Sequence, residues 1–472
     1  MKKGFRTFQP QLNTWDTQLH FPTPPHFLND WRAQIDAAQD QYAALSPLQR
    51  AKFLNDLAVN LLQEKESIAL IYQQESGLSK ARFEAEFQRT HQTICLFANY
   101  IQSFDWQKSE QLEHEQIRFS KRVLPLGAVL VLGSSNFPLA YSTLGGDTIA
   151  ALAAGCCVVL KAHPMHAGTS SLVAQCIAQT LQQWALSPFV FSHVLDDSFH
   201  WASTFAQERA IKAIGFTGSI KGGRSLMDLA AARPDPIPVF AEMGSLNPVI
   251  IAPNQNQGAL EQIAQKLALA IHTDAGQFCT KPGLILVQSE QADEFENLLL
   301  KALAPLPATP MLHPDIYAKF EARKRQVFQS KGFKRTENQA VLEGIFARWG
   351  IAKTQLQDLL NVPTALEEVF GPFAIVCSYQ SLAELQTLLN ILGGQLTISI
   401  FTNDVQPDSE LLSQAQKIAG RIIINGVPTG VRVLGTMHHG GPYPASSDAR
   451  FTAVGPDSIR RFTKEVCFQT HL

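Results

Sequence analysis

Apolar residues along this chain follow two rhythms. In the N-terminal part they return at helical spacing. Leu54, Leu57, Leu61 and Leu62 follow Ser46-Pro47, a capping hydroxyl with proline at the first helical position, and a second helical stretch is predicted over about 80–104. From Ile117 the period shortens: Ile117 and Phe119 alternate with Arg118 and Ser120, as in a strand with one exposed face. The apolar run 123–133 and the turn Ser134-Ser135-Asn136-Phe137-Pro138 predict a strand leading into a helix over 139–154, ended by Gly155. Strands are then expected at 156–160, 189–195, 210–216 and 238–241, and helices at 169–184 and 223–231. Strands alternating with helices are the pattern of a parallel sheet with crossover helices. The alternation resumes after Glu242, with a helix at 260–272 and strands at 284–287, 373–376, 397–401 and 421–425, which predicts a second α/β domain. Val466 and Phe468 alternate near the C-terminus as in an edge strand.

Composition narrows the class. A chain of 472 residues has room for about three domains. With 39 Lys+Arg against 41 Asp+Glu the net charge is −2, which argues against a basic nucleic-acid-binding face. Hydrophobic residues make up 45% and charged residues 17%, so a packed globular protein is expected. The 7 cysteines are odd in number and include no C-x-x-C pair, which speaks against a disulfide framework or a zinc ribbon and for a reducing compartment. No apolar stretch follows Met1-Lys2-Lys3, and the run 123–133 contains Pro125 and is too short for a bilayer. A soluble cytoplasmic protein is expected, with no metal site and with neither nucleic acid nor membrane as a partner.

Four segments could carry chemistry. Cys279, in Gly276-Gln277-Phe278-Cys279-Thr280, is flanked by a long helix and a proline-glycine turn, where a thiolate could meet a substrate; read alone, a buried core thiol is the plainer account. Glu242 ends a short apolar strand, where open α/β sheets place ligands; a capping or salt-bridged Glu is the plainer account. Asn136 stands where an amide could donate to an oxyanion, or simply cap a helix. Phe216-Thr217-Gly218-Ser219 reads as a strand, a glycine turn and a helix start, which suits a phosphate, although neither the G-x-G-x-x-G fingerprint nor a P-loop occurs there.

Taken together, the segments resemble the aldehyde dehydrogenase superfamily over nearly the whole chain. The matching motifs are Ser135-Asn136-Phe137-Pro138, Lys161 after Val158-Val159-Leu160, Phe216-Thr217-Gly218-Ser219, Glu242-Met243-Gly244, Gly276-Gln277-Phe278-Cys279 and Glu367-Glu368-Val369-Phe370-Gly371-Pro372. The stretches 135–169 and His439-Gly440-Gly441-Pro442-Tyr443-Pro444-Ala445 are similar to the branch of α-ketoglutaric semialdehyde (2,5-dioxopentanoate) dehydrogenases and NADP-linked fatty aldehyde dehydrogenases.

The resemblance implies Cys279 as nucleophile, Glu242 as general base and Asn136 as oxyanion donor. It implies a nicotinamide cofactor held by Lys161, Gly218, Ser219, Met243, Glu368 and Phe370. NAD-linked members carry a Glu where this chain has Pro164, in Lys161-Ala162-His163-Pro164. Without that carboxylate a 2′-phosphate is not repelled, and Lys161 and His163 can attract it, so NADP is expected in preference to NAD. Arg432 departs from the branch and is either a carboxylate-binding group or a surface residue. The expected fold is an α/β aldehyde dehydrogenase fold. It has a Rossmann-like cofactor domain (1–106 and 128–241), an α/β catalytic domain (242–447) and a small β oligomerisation element (107–127 and 448–472) in a homodimer or homotetramer. The expected reaction is oxidation of 2,5-dioxopentanoate to 2-oxoglutarate. Oxidation of medium- or long-chain fatty aldehydes is the alternative. Transfer of the thioester to coenzyme A is disfavoured by the presence of Glu242, a cysteine hydrolase by the cofactor motifs, and a non-catalytic role by the retention of Cys279, Glu242 and Asn136.

Overall fold

The computed structural model of the chain describes residues 4–103, 111–340, 343–403 and 409–472. Residue 104 and the expected domain boundary between 106 and 107 lie outside them.

Five parallel strands form the first sheet: β1 (Ala128–Leu132), β2 (Val158–Lys161), β3 (Phe191–Val194), β4 (Ile211–Thr217) and β5 (Val239–Glu242). Their spatial order is β3-β2-β1-β4-β5. The chain therefore builds outward on one side of β1 and returns to build on the other. The crevice at the C-terminal ends of β1 and β4 is the switch point, where open parallel sheets bind ligands. Strands β1 and β2 are buried at every residue, as a sheet covered on both faces requires. The N-terminal helices pack into the same core through Trp31, Tyr42, Phe53 and Phe83. Ser46 starts the helix Pro47–Gln63 with a capping box shared with Gln49, as the Ser-Pro signal predicts.

Seven strands form the second sheet: β6 (Val249–Ile251), β7 (Leu284–Gln288), β8 (Lys334–Glu337), β9 (Gly350–Gln355), β10 (Phe373–Tyr379), β11 (Gln395–Phe401) and β12 (Ala419–Ile424). Their order is β8-β9-β10-β7-β6-β11-β12, and only β8 runs antiparallel to its neighbour. Alternate residues feed two separate apolar cores. Ile250, Leu284, Leu286 and Ile375 enter one, and Val249, Ile251, Ile285 and Val376 the other. Strands β6, β8 and β9 are additional to the expected set. Among the described residues no helix is long and apolar enough to cross a membrane.

A third, antiparallel sheet pairs Ile117–Pro125 with Gln111–His114 on one side and Thr463–His471 on the other. Only the end of the expected element 448–472 lies in this sheet. Pro456–Phe462 is a 3₁₀ segment whose Ile459 and Phe462 belong to the core of the first sheet.

One expected helix starts late. The helix predicted over 139–154 spans only Gly146–Ala154, and 139–145 forms turns. The reason lies on another helix, Lys80–Gln102. Glu86, 1% exposed, accepts the backbone N–H groups of Leu139 and Ala140 with Oε1, both at 2.9 Å. Its Oε2 accepts from the Tyr72 hydroxyl at 2.7 Å and faces Arg82 Nη1 at 2.9 Å. This capture holds the chain in turns where apolar spacing alone reads as helix. Glu86→Ala removes the acceptor of two buried amides and one partner of a buried ion pair. The expected result is a loss of about 3 kcal/mol, read as a lower midpoint in denaturant unfolding; an unchanged midpoint would show that the turns hold without Glu86.

Candidate active site

Cys279 is delivered by a strained turn. The helix Gln257–His272 ends in the 3₁₀ segment Thr273–Gly276, and Asp274, Ala275 and Gly276 take φ of 51°, 53° and 62° in succession. Such angles are unfavourable for side chains other than glycine and persist only where surroundings hold them. At Gly276 a Cβ would fall 2.5 Å from the Gly371 carbonyl oxygen and 2.6 Å from that of Ile271, so glycine is required there. Arg82 Nε bonds Asp274 at 2.8 Å, and the Gln277 amide donates to the Asp274 carbonyl at 2.9 Å. From the other side Asn247, fully buried with a φ of 50°, donates from Nδ2 to the carbonyls of Cys279 (2.8 Å) and Lys281 (3.0 Å).

Glu242 closes β5, and its strand position brings it to the thiol from the first sheet. Between the two stands His439, with Nε2 3.8 Å from Cys279 Sγ and 3.1 Å from Glu242 Oε2. The three donor atoms lie within 4.8 Å of one another, the one set among the described residues that could also ligate a metal ion. His439 was not a candidate from sequence. It stood in the His439-Gly440-Gly441 stretch that marked the branch, and a histidine beside a glycine pair that admits close backbone approach was the available signal. Its position is set by its own N–H, which donates to Thr452 Oγ1 at 2.9 Å.

The charges around the thiol are unequal. Burial, and then the negative charge of Glu242, pushes the Cys279 thiol well above its ordinary range; Glu368 adds to this and Arg89 opposes it. Burial also acts to raise Glu242, but His439, the Cys279 hydrogen bond and Arg461 outweigh it, so that carboxyl sits below its ordinary value. Burial pushes Glu368 up to about 7, with Lys281 opposing and Glu242 reinforcing. Lys281, 2% exposed, is pushed down to about 8 by burial.

Asn136 lies in the turn after β1 and donates from Nδ2 to the Gln277 carbonyl at 2.8 Å, two residues from the thiol. The same Nδ2 carries a second hydrogen. Lys161 ends β2 and donates to the Asp196 carbonyl at 2.7 Å; burial pushes it down to about 8. His163 is half-buried, caps Pro164–His166 by accepting the Met165 N–H at 3.3 Å, and stacks on His166. Gly218 follows β4 and donates its N–H to the Glu242 carbonyl at 3.0 Å. Ser219 caps the helix Ile220–Ala231. Met243 is buried and donates its N–H to the Ala445 carbonyl. Glu368 lies so near Gly244 that a Cβ there would strike its carboxylate. Phe370 is half-buried just before β10. Arg432 is exposed in the loop that follows β12.

A parallel sheet with a switch point, joined to a second, mostly parallel sheet over a Cys-His-Glu cluster whose thiol is half-buried, is the architecture of an α/β oxidoreductase with a cysteine at its centre. The chain belongs to the aldehyde dehydrogenase family, whose model matches residues 28–464. It is 36% identical to an alpha-ketoglutaric semialdehyde dehydrogenase of Acinetobacter baylyi, covering 98% of this chain and 91% of that one. It is also 36% identical to alpha-ketoglutaric semialdehyde dehydrogenase 2 of Azospirillum brasilense, covering 92% and 84%. Its fold is similar to that of betaine aldehyde dehydrogenase from Staphylococcus aureus, solved with NAD+ (TM-score 0.86, 18% identity, 100% of this chain and 94% of that one). It is likewise similar to glyceraldehyde-3-phosphate dehydrogenase from Methanocaldococcus jannaschii, solved with NADP (TM-score 0.85, 17% identity, 100% of both chains).

A negative neighbour disfavours a thiolate, so removing it should let the thiol ionise at lower pH. Glu242→Gln is therefore expected to shift the pH midpoint of iodoacetamide labelling of Cys279 downward while turnover falls. A midpoint that stays or rises would show that Glu242 does not govern the thiol.

Proposed function

We propose that this aldehyde dehydrogenase oxidises 2,5-dioxopentanoate to 2-oxoglutarate, with NADP preferred over NAD. The observation that carries the mechanism is the Cys279–His439–Glu242 cluster with the Asn136 amide beside it. The substrate reading is supported by the 36% identity to two relatives of that activity.

The residues at the strand ends fit a dinucleotide. The helix Ile220–Ala231 begins at the switch point directly after Gly218 and Ser219, where its N-terminal N–H groups suit a pyrophosphate. Lys161 and His163 would hold the adenosine ribose and its phosphate, and Glu368, Met243 and Phe370 the nicotinamide end. Pro164 opens the 3₁₀ turn beside Lys161, so no carboxylate stands at the position that favours NAD in the family.

In the reaction, Cys279 Sγ bonds to the aldehyde carbon, and its proton goes to the hydrogen-bonded Glu242 carboxylate and on to solvent, which returns Glu242 to its basic form. The second hydrogen of Asn136 Nδ2 and the Cys279 N–H receive the oxyanion. The bound nicotinamide supplies the hydride acceptor that makes the thiohemiacetal a thioester. Glu242 then takes a proton from the water that attacks the thioester. The C–S bond breaks, the carboxylate leaves and Cys279 is regenerated. Glu242 favours water over coenzyme A as acceptor.

A second reading, oxidation of fatty aldehydes, is favoured by the apolar cluster of Phe137, Ala140, Tyr141 and Val454, with Phe278 packed against it. For assembly, the three-stranded sheet, with Leu112 and Phe468 exposed, is the proposed pairing element.

With 2,5-dioxopentanoate as substrate, kcat/KM at subsaturating cofactor is expected to be higher with NADP than with NAD. Equal or better turnover with NAD would sink the preference, and faster turnover of decanal than of 2,5-dioxopentanoate would favour the second reading. Truncation after Phe462 is expected to give a monomer by light scattering; an unchanged mass would remove the small sheet from the assembly.

A further inference from the structure

The arginines around the site are of two kinds. Arg82 faces Glu86 at 2.9 Å and Asp274 at 2.8 Å, and Arg461 faces Asp147 at 2.6 Å. Arg89 and Arg421 face no carboxylate among the described residues. Arg89, half-buried on the helix Lys80–Gln102, donates from Nη1 to the Val431 carbonyl at 2.8 Å and from Nη2 to the Tyr141 hydroxyl at 2.9 Å. Arg421, half-buried on β12, donates from Nη2 to the Pro428 carbonyl, and its buried Nε has no hydrogen-bond partner. Burial on carbonyls alone does not explain this. Arg233 also lacks a carboxylate, but its Nε, Nη1 and Nη2 all reach backbone oxygens. A buried donor left without an acceptor is costly and calls for an explanation.

Both cations grip one loop, and that loop packs on the apolar cluster that Phe278, the neighbour of Cys279, also joins. Pro428 and Val431 lie in the segment after β12. Val431 and Val433 pack with Phe137, Tyr141 and Phe278, and Phe278 precedes Cys279. The Arg89 guanidinium sits 5.2 Å from the centre of the Tyr141 ring, and that ring is 6.3 Å from the His439 ring. The charges also sense one another. Arg89 favours the Cys279 thiolate; burial disfavours the Arg421 cation and holds it below its ordinary range, with Cys279 and Tyr141 opposing burial and Arg89 adding to it. Two like charges that hold one loop, one of them with an orphan donor, are relieved when an anion joins them.

We propose that Arg89 and Arg421 receive the far-end carboxylate of the aldehyde substrate and so determine specificity for anionic over uncharged aldehydes. The proposal rests on the carboxylated-aldehyde reading above. A guanidinium presents paired N–H groups that match a carboxylate, and the aromatic and valine cluster that Arg89 contacts through Tyr141 and Val431 suits the short methylene chain separating the two ends of such a substrate. Arg432, on the same loop but exposed, is a comparison for surface charge alone.

The test compares 5-oxopentanoate with pentanal, at saturating cofactor, on wild type, Arg89→Met, Arg421→Met, Arg89→Lys and Arg432→Ala. Each Met variant is expected to raise KM for 5-oxopentanoate about 10- to 100-fold. The ratio of kcat/KM for 5-oxopentanoate to that for pentanal should fall by a similar factor, over and above any loss the two aldehydes share when a cation near the thiol is removed. Arg89→Lys, which keeps the charge and guards against a folding artefact, should recover part of the loss. Equal losses with both aldehydes in the Met and Lys variants would mean that the arginines only brace the loop and would overturn the proposal. Loss for the anion in Arg432→Ala alone would overturn it in favour of the exposed cation. If wild type prefers 5-oxopentanoate and the Met variants keep that preference, the arginine assignment fails and the substrate reading survives. If wild type prefers pentanal, the substrate reading fails.

Discussion

Glu86 divides its two carboxylate oxygens among distant parts of the chain. One oxygen takes the amides of Leu139 and Ala140, in the loop that also carries Asn136. The other meets Tyr72 and Arg82, and Arg82 continues to Asp274, in the turn that presents Cys279. The Arg82 guanidinium also lies over the Phe137 ring at 4.5 Å and near Phe278 at 5.7 Å, joining the same two segments by their aromatic residues. A charge-assisted network out of water keeps one geometry because any slip strands a charge. The Asn136 amide and the Cys279 thiol come from different sheets, and this network ties them together.

The turn before the thiol draws on that support. Asp274, Ala275 and Gly276 in the left-handed region, with Asn247 in the same region across from them, store strain of about 1–3 kcal/mol for each residue other than glycine. Arg82 holds the turn at its start and Asn247 holds the backbone beyond it at the Cys279 and Lys281 carbonyls. Asn247 is itself seated by Thr397 and Gln395 of β11. Cys279 thus sits on backbone clamped from both sides, as suits the proposed nucleophile, which would meet a carbon, a hydride acceptor and a water in turn.

Most of the fold was legible because apolar periodicity reports burial, and burial is what a covered parallel sheet demands. Strands β1 to β5 appear within a few residues of where alternation predicts them. Short β6 and β8 escaped because three or four residues carry little periodic signal, and six-residue β9 because only Ile351 and Ala352 in it are apolar apart from Gly350. Cys279, Glu242 and Asn136 were readable as reactive residue types in motifs at strand ends, and the structure gathers them at one point. Glu86, His439 and Asn247 were not. Glu86 reads on its helix as one more polar residue, and the amides that explain it are 53 and 54 residues away. Asn247 shows only as an Asn before Pro248, a pattern shared by ordinary turns.

The enclosure of the thiol has a consequence for survival between turnovers. Peroxides and other oxidants attack the thiolate, and a cysteine kept protonated by burial and by two neighbouring acids offers them little. Burial and the two carboxylates therefore disfavour the form of Cys279 that such oxidants attack. Cys467, exposed on the outer strand of the small sheet, has no such shelter, so chemical ageing of this protein should begin far from its chemistry.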